Sequence, residues 1–194
     1  MHEVKSVLLV GVGGQGTILA AKLLTLGLMA AGYDVKMSEI HGMSQRGGSV
    51  SSQVRYGERV LSPVIERGGA DLLVAFEKME ALRWLDYLKV GGKVIVNDYE
   101  LPPMPVLSGA AQYPKGILEV LCAKADTLVI DAAEEAGQLG SAKAMNVVLL
   151  GAAVRLLALD DINWADIISD NVRPQFAELN LNALKRGRTL AQRK

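Results

Sequence analysis

Short runs of β-branched and leucine residues alternate along the chain with stretches whose apolar residues recur every three or four positions. That exchange of period 2 for period 3.6 marks strands alternating with helices. Lys5 to Val10 is the first apolar run and ends at a glycine cluster. From Thr17, the residues Leu19, Leu23, Leu26 and Ala30 fall at helical spacing, and Gly32 follows where a left-handed residue can end a helix. Val35 to Ile40 reads as a second strand. Two short strands joined through a helix form the crossover from which parallel sheets are built, because parallel neighbours need a connection long enough to return. The pattern predicts an α/β fold of three layers, α/β/α, with a mostly parallel, doubly wound sheet opening on a Rossmann-like βαβ unit.

A glycine-rich loop after Ile40 interrupts the rhythm and leads into Ser51 to Tyr56, a strand whose alternation suggests partial exposure. The rhythm then resumes: Asp71 to Phe76 as strand, Glu77 to Leu88 as helix, and Lys93 to Asn97 as strand after the Gly91-Gly92 turn. Leu101 to Pro114, with four prolines, reads as irregular. Lys115 to Lys124 is expected to be helical and Thr127 to Asp131 the last strand. Ser141 to Leu159 is apolar on nearly every face and hence a buried helix, with helix again from about Trp164. No internal repeat or linker divides the 194 residues, so a single domain over 1–194 is expected.

Half the residues are hydrophobic and 22% charged, enough apolar material for a full core. The 21 basic and 21 acidic side chains cancel, so no global field gathers nucleic acid or anionic lipid. Local charge is uneven. Asp126 to Asp170 holds eight acids and two bases, whereas Arg173 to Lys194 holds six bases and one acid, read as a solvated last helix in preference to a docking surface. The longest uncharged run, Ser6 to Ala21, is 16 residues with four glycines, too short and too broken to span a bilayer. The opening M-H-E-V-K-S-V-L-L-V lacks a basic leader and cleavage site, so a cytoplasmic location is expected. Cys122 is the only cysteine, so the chain alone holds neither a four-cysteine metal site nor an iron–sulfur cluster.

The first candidate for chemistry is Gly11-Val12-Gly13-Gly14-Gln15-Gly16, which satisfies G-x-G-x-x-G between a strand and a helix. Gly11 permits a tight turn, Gly13 a close backbone approach, and Gly16 the seating of the helix on the sheet. The helix N-terminus offers free N–H groups and partial positive charge to a phosphate or carboxylate, and Thr17 adds a hydroxyl. A dinucleotide would also need an acid at the end of the second strand, and only Glu39 stands near. Another phosphate-bearing ligand, a dinucleotide and a structural turn all stay open.

The second candidate is Gly42-Met43-Ser44-Gln45-Arg46-Gly47-Gly48-Ser49, preceded by His41. Its glycines allow a ligand or another chain to approach closely, and Arg46 is a fork-shaped donor for carboxylate or phosphate. The competing reading is a surface turn with Arg46 in an ion pair. His41 has no identifiable orienting carboxylate and reads as structural. Cys122 reads as inert core. Asn146, in the most apolar helix, must find hydrogen-bond partners and is a candidate for a structural bond or a site role. The pairs Asp160/Asp161 and Glu134/Glu135 are adjacent in sequence and point apart on helices, so neither makes a dyad.

Four segments together resemble one family: V-L-L-V-G-V-G-G-Q-G at 7–16, G-M-S-Q-R-G-G-S-V at 42–50, A-D-L-L-V-A-F-E at 70–77 and N-V-V-L-L-G-A at 146–152. The chain is similar to the gamma subunit or domain of the 2-oxoacid:ferredoxin oxidoreductases, and within them to the small beta subunit of the indolepyruvate type. The resemblance implies a non-catalytic subunit of an anaerobic enzyme. That enzyme decarboxylates a 2-oxo acid on thiamine diphosphate, passes electrons through iron–sulfur clusters to ferredoxin, and releases an acyl-coenzyme A; for the indolepyruvate type the substrates are aryl pyruvates. This chain lacks a thiamine motif and cluster cysteines, so those groups are implied on a larger partner, with a coenzyme A phosphate possible at the first motif and the second facing the partner's active site. A stand-alone dinucleotide- or small-anion-binding α/β protein is the alternative.

Overall fold

The computed structural model describes residues 3–41 and 48–192. Its strands are β1 (Lys5–Val12), β2 (Asp34–His41), β3 (Ser49–Gly57), β4 (Ala70–Ala75), β5 (Leu88–Asn97) and β6 (Asp126–Ile130). Its helices are α1 (Thr17–Ala30), α2 (Lys78–Arg83), α3 (Met104–Leu107), α4 (Ile117–Lys124), α5 (Ala132–Gln138), α6 (Met145–Leu156), α7 (Trp164–Asn171) and α8 (Ala177–Ala191). The strands form one sheet in the order β2-β3-β1-β4-β5-β6. β1, β4, β5 and β6 are parallel, with Val7 opposite Leu72, Leu73 opposite Val94, and Ile95 opposite Leu128.

Alternation along β1 divides the core. Val7 and Leu9 pack beneath α1, α6 and α8, whereas Leu8 and Val10 face Ala81 of α2 and Ile117 and Leu121 of α4. Both faces of the sheet are therefore covered, and the three-layer α/β architecture holds. The sheet is mixed. β3 runs antiparallel to both β1 and β2, with Val54 opposite Val7 and Met37, so β2 is parallel to β1 but not its neighbour. The first βαβ unit closes around an inserted strand.

Local differences from the sequence reading have local causes. The helix expected over 77–88 stops at Arg83, because Glu77 is its cap and a 3-10 turn at Leu85–Tyr87 leads directly into β5. The proline segment contains the single turn α3, entered through Pro103. α5, unforeseen, starts at Asp131, whose side chain accepts the Glu134 amide at 3.0 Å. The buried helix α6 ends where Ala158 takes a left-handed φ of 55°. Cys122 is exposed and not core, because Ile117 and Leu121 supply the buried stripe of α4. The acidic middle and basic tail meet in part: Arg186 pairs with Glu135, and Arg188 with Asp160 at 2.6 Å. Among the described residues no helix is long and apolar enough to cross a membrane.

The motif N-V-V-L-L-G-A owes its glycine to helix packing. α6 and α8 cross so closely that a Cβ on Gly151 would stand 2.2 Å from the Leu184 carbonyl oxygen. A Cβ on Gly187 would stand 1.9 Å from that of Val148. Neither helix can carry a side chain there without parting from the other.

Candidate functional site

The chain leaves the carboxyl end of β1 and enters α1 through Gly16, a left-handed residue (φ 80°) that supplies no side-chain cap. A Cβ on Gly11 would lie 2.8 Å from Gln15 Oε1 and 2.9 Å from Phe76 Cβ, so the turn admits no side chain there. Gly14, at φ 103°, faces open space, and its glycine is required by backbone conformation alone. Gln15 turns inward and is 7% exposed. Its Oε1 accepts the Val12 amide at 2.7 Å and its Nε2 donates to the Phe76 carbonyl at 3.0 Å. It clamps the loop from below; its own amide donates to the Val12 carbonyl at 3.2 Å, so Gln15 is not among the groups a ligand could reach.

The described end of the second glycine motif, Gly48 and Ser49, stands beside the first. Val12 is paired with Ser49 and Gly11 with Val50, and the Gly13 amide donates to the Gly48 carbonyl at 2.9 Å. Ser49 donates its hydroxyl to Glu80, which is 3% exposed and also takes the Arg83 guanidinium at 3.1 Å. Positions 42–47, including Arg46, lie outside the described residues, as does the side chain of His41. The backbone of His41 closes β2 opposite Val50.

With Gly13 and Gln15 engaged, the amides of Gly14, Gly16, Thr17, Ile18 and Leu19 have no backbone acceptor among the described residues, as expected of a helix start. Thr17 is 3% exposed and its hydroxyl has no hydrogen-bond partner among the described residues. These residues border a cleft of about 450 Å³ that also takes in Lys22 and Val50 and has no acidic residue in its lining. Lys22 makes no ion pair among the described residues. Free amides and a lysine in one cleft, with the Thr17 hydroxyl buried beneath them, are chemistry for an anion.

Asn146 takes the structural role. Its Nδ2 donates to the Gly16 carbonyl at 3.2 Å, and a Cβ on Gly16 would stand 2.6 Å from that nitrogen. Glu39 fails the dinucleotide role on topology: it pairs with Ser52 of β3, which in turn pairs with Leu9. It therefore stands two strand spacings, about 10 Å, from β1, where the ribose-binding acid of a dinucleotide fold is one.

Two further residues, not singled out as site residues from the sequence, brace the same edge of the sheet. Asn97, wholly buried, donates Nδ2 to the Phe76 carbonyl at 3.2 Å and accepts the Ala132 amide at 2.9 Å, so that carbonyl joins the loop clamp to β5 and α5. Glu77, also wholly buried, accepts the Glu80 amide at 2.9 Å, the Leu101 amide at 3.2 Å and the Tyr113 hydroxyl. Burial, and then the hydrogen bond to the Glu77 carboxylate, pushes the Tyr113 hydroxyl above the usual phenol range. The available signal was polar residues at the ends of strands β4 and β5, at the carboxyl edge where open α/β sheets bind ligands.

An open six-stranded α/β sheet covered by helices on both faces, with a glycine loop at the carboxyl end of a central strand, is a fold of doubly wound type. The family model for pyruvate ferredoxin/flavodoxin oxidoreductase matches residues 6–190, and the chain belongs to that family. Indolepyruvate oxidoreductase subunit IorB of Thermococcus kodakarensis is 38% identical over 190 residues, 94% of this chain and 93% of that one. The gamma subunit of the keto/oxoacid ferredoxin oxidoreductase of Geobacter sulfurreducens shares the fold at a TM-score of 0.73 and 22% identity, over 98% of this chain and 99% of that one. The 2-oxoglutarate:ferredoxin oxidoreductase of Magnetococcus marinus, solved with 2-oxoglutarate, coenzyme A and succinyl-CoA bound, gives 0.76 at 20% identity. That match covers 99% of this chain and 32% of the longer one. The family resemblance of the four motifs is thereby established.

Proposed function

We propose that this chain is the small subunit of a thiamine-dependent 2-oxoacid:ferredoxin oxidoreductase, acting within the complex on indolepyruvate and related aryl pyruvates. The likeness to the Thermococcus subunit over nearly its whole length supports that substrate class. The chain supplies no catalytic group of its own. Its one cysteine lies exposed on α4 and does not fit an iron–sulfur cluster, so the clusters belong to a larger partner, as does thiamine diphosphate, for which the chain carries no binding motif. The assembled enzyme is cytoplasmic.

The chain's own contribution is to hold and orient. The observation that carries this is the orphaned, buried Thr17 hydroxyl beside the free amides of Gly14, Gly16 and Ile18, which fit a phosphate of coenzyme A. Bound there, coenzyme A would supply the thiol that takes the acyl group. Gly42 to Ser49 meets the catalytic partner, and Gly48 ties that segment to the anion loop.

Co-purification tests the assignment. Tagged chain expressed with its natural partners should recover a cysteine-rich, thiamine-binding protein and reconstitute ferredoxin reduction by indolepyruvate, whereas the chain alone should be inactive. Gly14→Asp should leave assembly intact and weaken coenzyme A binding by the complex at least tenfold, because a side chain at φ 103° strains the loop and a carboxylate would then stand in the anion's place. Arg46→Ala should weaken assembly or turnover with little change in the melting of the lone subunit. Turnover by the purified chain alone at a rate comparable to the complex would overturn the reading.

A further inference from the structure

Between β5 and α4 the chain makes an excursion over Leu101 to Pro114 that carries no charged residue, although 22% of the whole chain is charged. The segment is nonetheless open to solvent. Met104 is 73% exposed and Leu107 67%. They stand three residues apart on the single turn α3, so both side chains leave from one face of it. An uncharged segment that holds two large apolar side chains out in water is a surface suited to being covered.

Two adjacent residues hold both roots of this arm. The wholly buried Glu77 accepts the Leu101 amide at 3.2 Å and the Tyr113 hydroxyl, so one carboxylate closes the excursion where it leaves and where it returns. Lys78 bridges Asp98 at 2.9 Å and Glu100 at 2.8 Å, and its amide donates to the Tyr99 carbonyl at 3.0 Å. Within the arm, the Ser108 amide donates to the Met104 carbonyl at 2.9 Å and the Ala111 amide to that of Pro105 at 3.0 Å. Pro102, Pro103 and Pro105 reduce the conformations open to the unfolded segment. A buried carboxylate is a costly device for pinning a loop whose own apolar side chains stay outside the core. What it secures is presentation: Met104 and Leu107 sit on a support that binding need not order.

β1, β4 and β5 are parallel, so the first glycine motif, Glu77 and the arm all emerge at the carboxyl edge of the sheet, β5 two strand spacings, about 10 Å, from β1. Ser49, at the end of the second glycine motif, donates to Glu80, three residues on from Glu77, so α2 braces the motif and the arm together. We infer that Met104 and Leu107 dock into an uncharged, apolar recess on the larger catalytic subunit, beside the contact proposed for Gly42 to Ser49. The inference rests on the reading of this chain as a small subunit. A second copy of the chain fits less well, because a stable contact takes about 20–30 residues a side and the arm has only 14. The arm is an anchor within a larger interface and not an interface in itself.

The test compares binding of the full-length chain to the larger subunit with that of the double variant Met104→Asp, Leu107→Asp and of Leu61→Asp. Leu61, 84% exposed, follows β3 at the amino end of β1 and serves as the control on the opposite edge. The double variant should bind at least tenfold more weakly while the lone chain melts as the parent does, and Leu61→Asp should bind like the parent. In the parent complex the amides of Val106 to Ala111 should exchange with deuterium more slowly than in the lone chain. A double variant that binds as tightly as the parent, or Leu61→Asp weakened equally, overturns the docking arm and leaves the subunit reading standing. Unprotected amides over Val106 to Ala111 in the parent complex overturn it whatever the variants do. A lone parent chain that self-associates, and a double variant that does not, make a second copy the occupant and also overturn it. Failure of the parent to bind the larger subunit at all overturns the subunit reading and the arm with it.

Discussion

Replacing Thr17 with valine separates a binding hydroxyl from a structural one, because the two roles give effects of opposite sign. The side chains have nearly the same shape, so packing is conserved. The Thr17 hydroxyl is buried with no partner among the described residues, and such a group costs about 1–3 kcal/mol in desolvation. Removing it should therefore raise the stability of the isolated chain by about 1–2 kcal/mol. For a chain of this size each kcal/mol moves the melting temperature by about 2–4 °C, so calorimetry should show a rise of a few degrees. Binding should move the other way. A hydrogen bond to a charged phosphate is worth about 1.5–3 kcal/mol, which converts to roughly 10- to 150-fold weaker binding of coenzyme A to the assembled complex. If Thr17→Val instead melts several degrees early and binds coenzyme A as well as the parent, the hydroxyl is part of the scaffold and the anion reading of the loop loses its main support.

Other consequences are equally direct. Gly187→Ala must push α8 away from the Val148 carbonyl, which a Cβ would approach to 1.9 Å; it should lower stability by about 3 kcal/mol or more, seen as an earlier urea midpoint. Adding Gly151→Ala should cost less than the sum of the two, since one parting of the helices accommodates both methyl groups. Gln15→Ala should weaken anion binding although its side chain touches no ligand, because the Val12 amide and Phe76 carbonyl lose the clamp that shapes the loop; an unchanged affinity would refute that role. Tyr56 and Tyr113 both have phenol groups held above their ordinary range, first by burial. Their contribution to stability is whole below about pH 10, the unfolded value, and is lost as pH rises beyond it, so absorbance at 295 nm should show both ionising together with unfolding and not before.

The alternation of periods made the helices and strands legible because each reports its own burial. Thr17 to Ala30 and Lys5 to Val12 carry their patterns within themselves. What the pattern could not carry was the neighbour relation between strands. A strand pairs equally well by periodicity with any partner, and nothing local to Ser49–Gly57 says that it slides between β1 and β2. The glycine loop was legible as a loop, and its free amides follow from any helix start. The inward turn of Gln15 was not, because its partner, the Phe76 carbonyl, is 61 residues away. The exposure of Cys122 was missed because a short helix with several apolar residues does not declare which face is buried until Ile117 and Leu121 meet β-strand residues.

The inserted strand explains why the end of the second glycine motif, Gly48 and Ser49, stands beside the first. β2 runs parallel to β1, so it ends at the same carboxyl edge of the sheet where the first glycine loop emerges. An antiparallel β3 can start from that edge through a short connection, whereas a parallel strand would need to return from the far side. Gly48, where the chain enters β3, is therefore delivered beside Gly13, and the Gly13–Gly48 hydrogen bond fixes the two together. The same insertion moves Glu39 a second strand spacing away from the loop and leaves the cleft with Lys22 and no carboxylate. A fold in which the strand beside β1 otherwise brings an acid to the loop here has β3 in that place, and among the described residues the cleft is left with free amides and a lysine, chemistry suited to an anion.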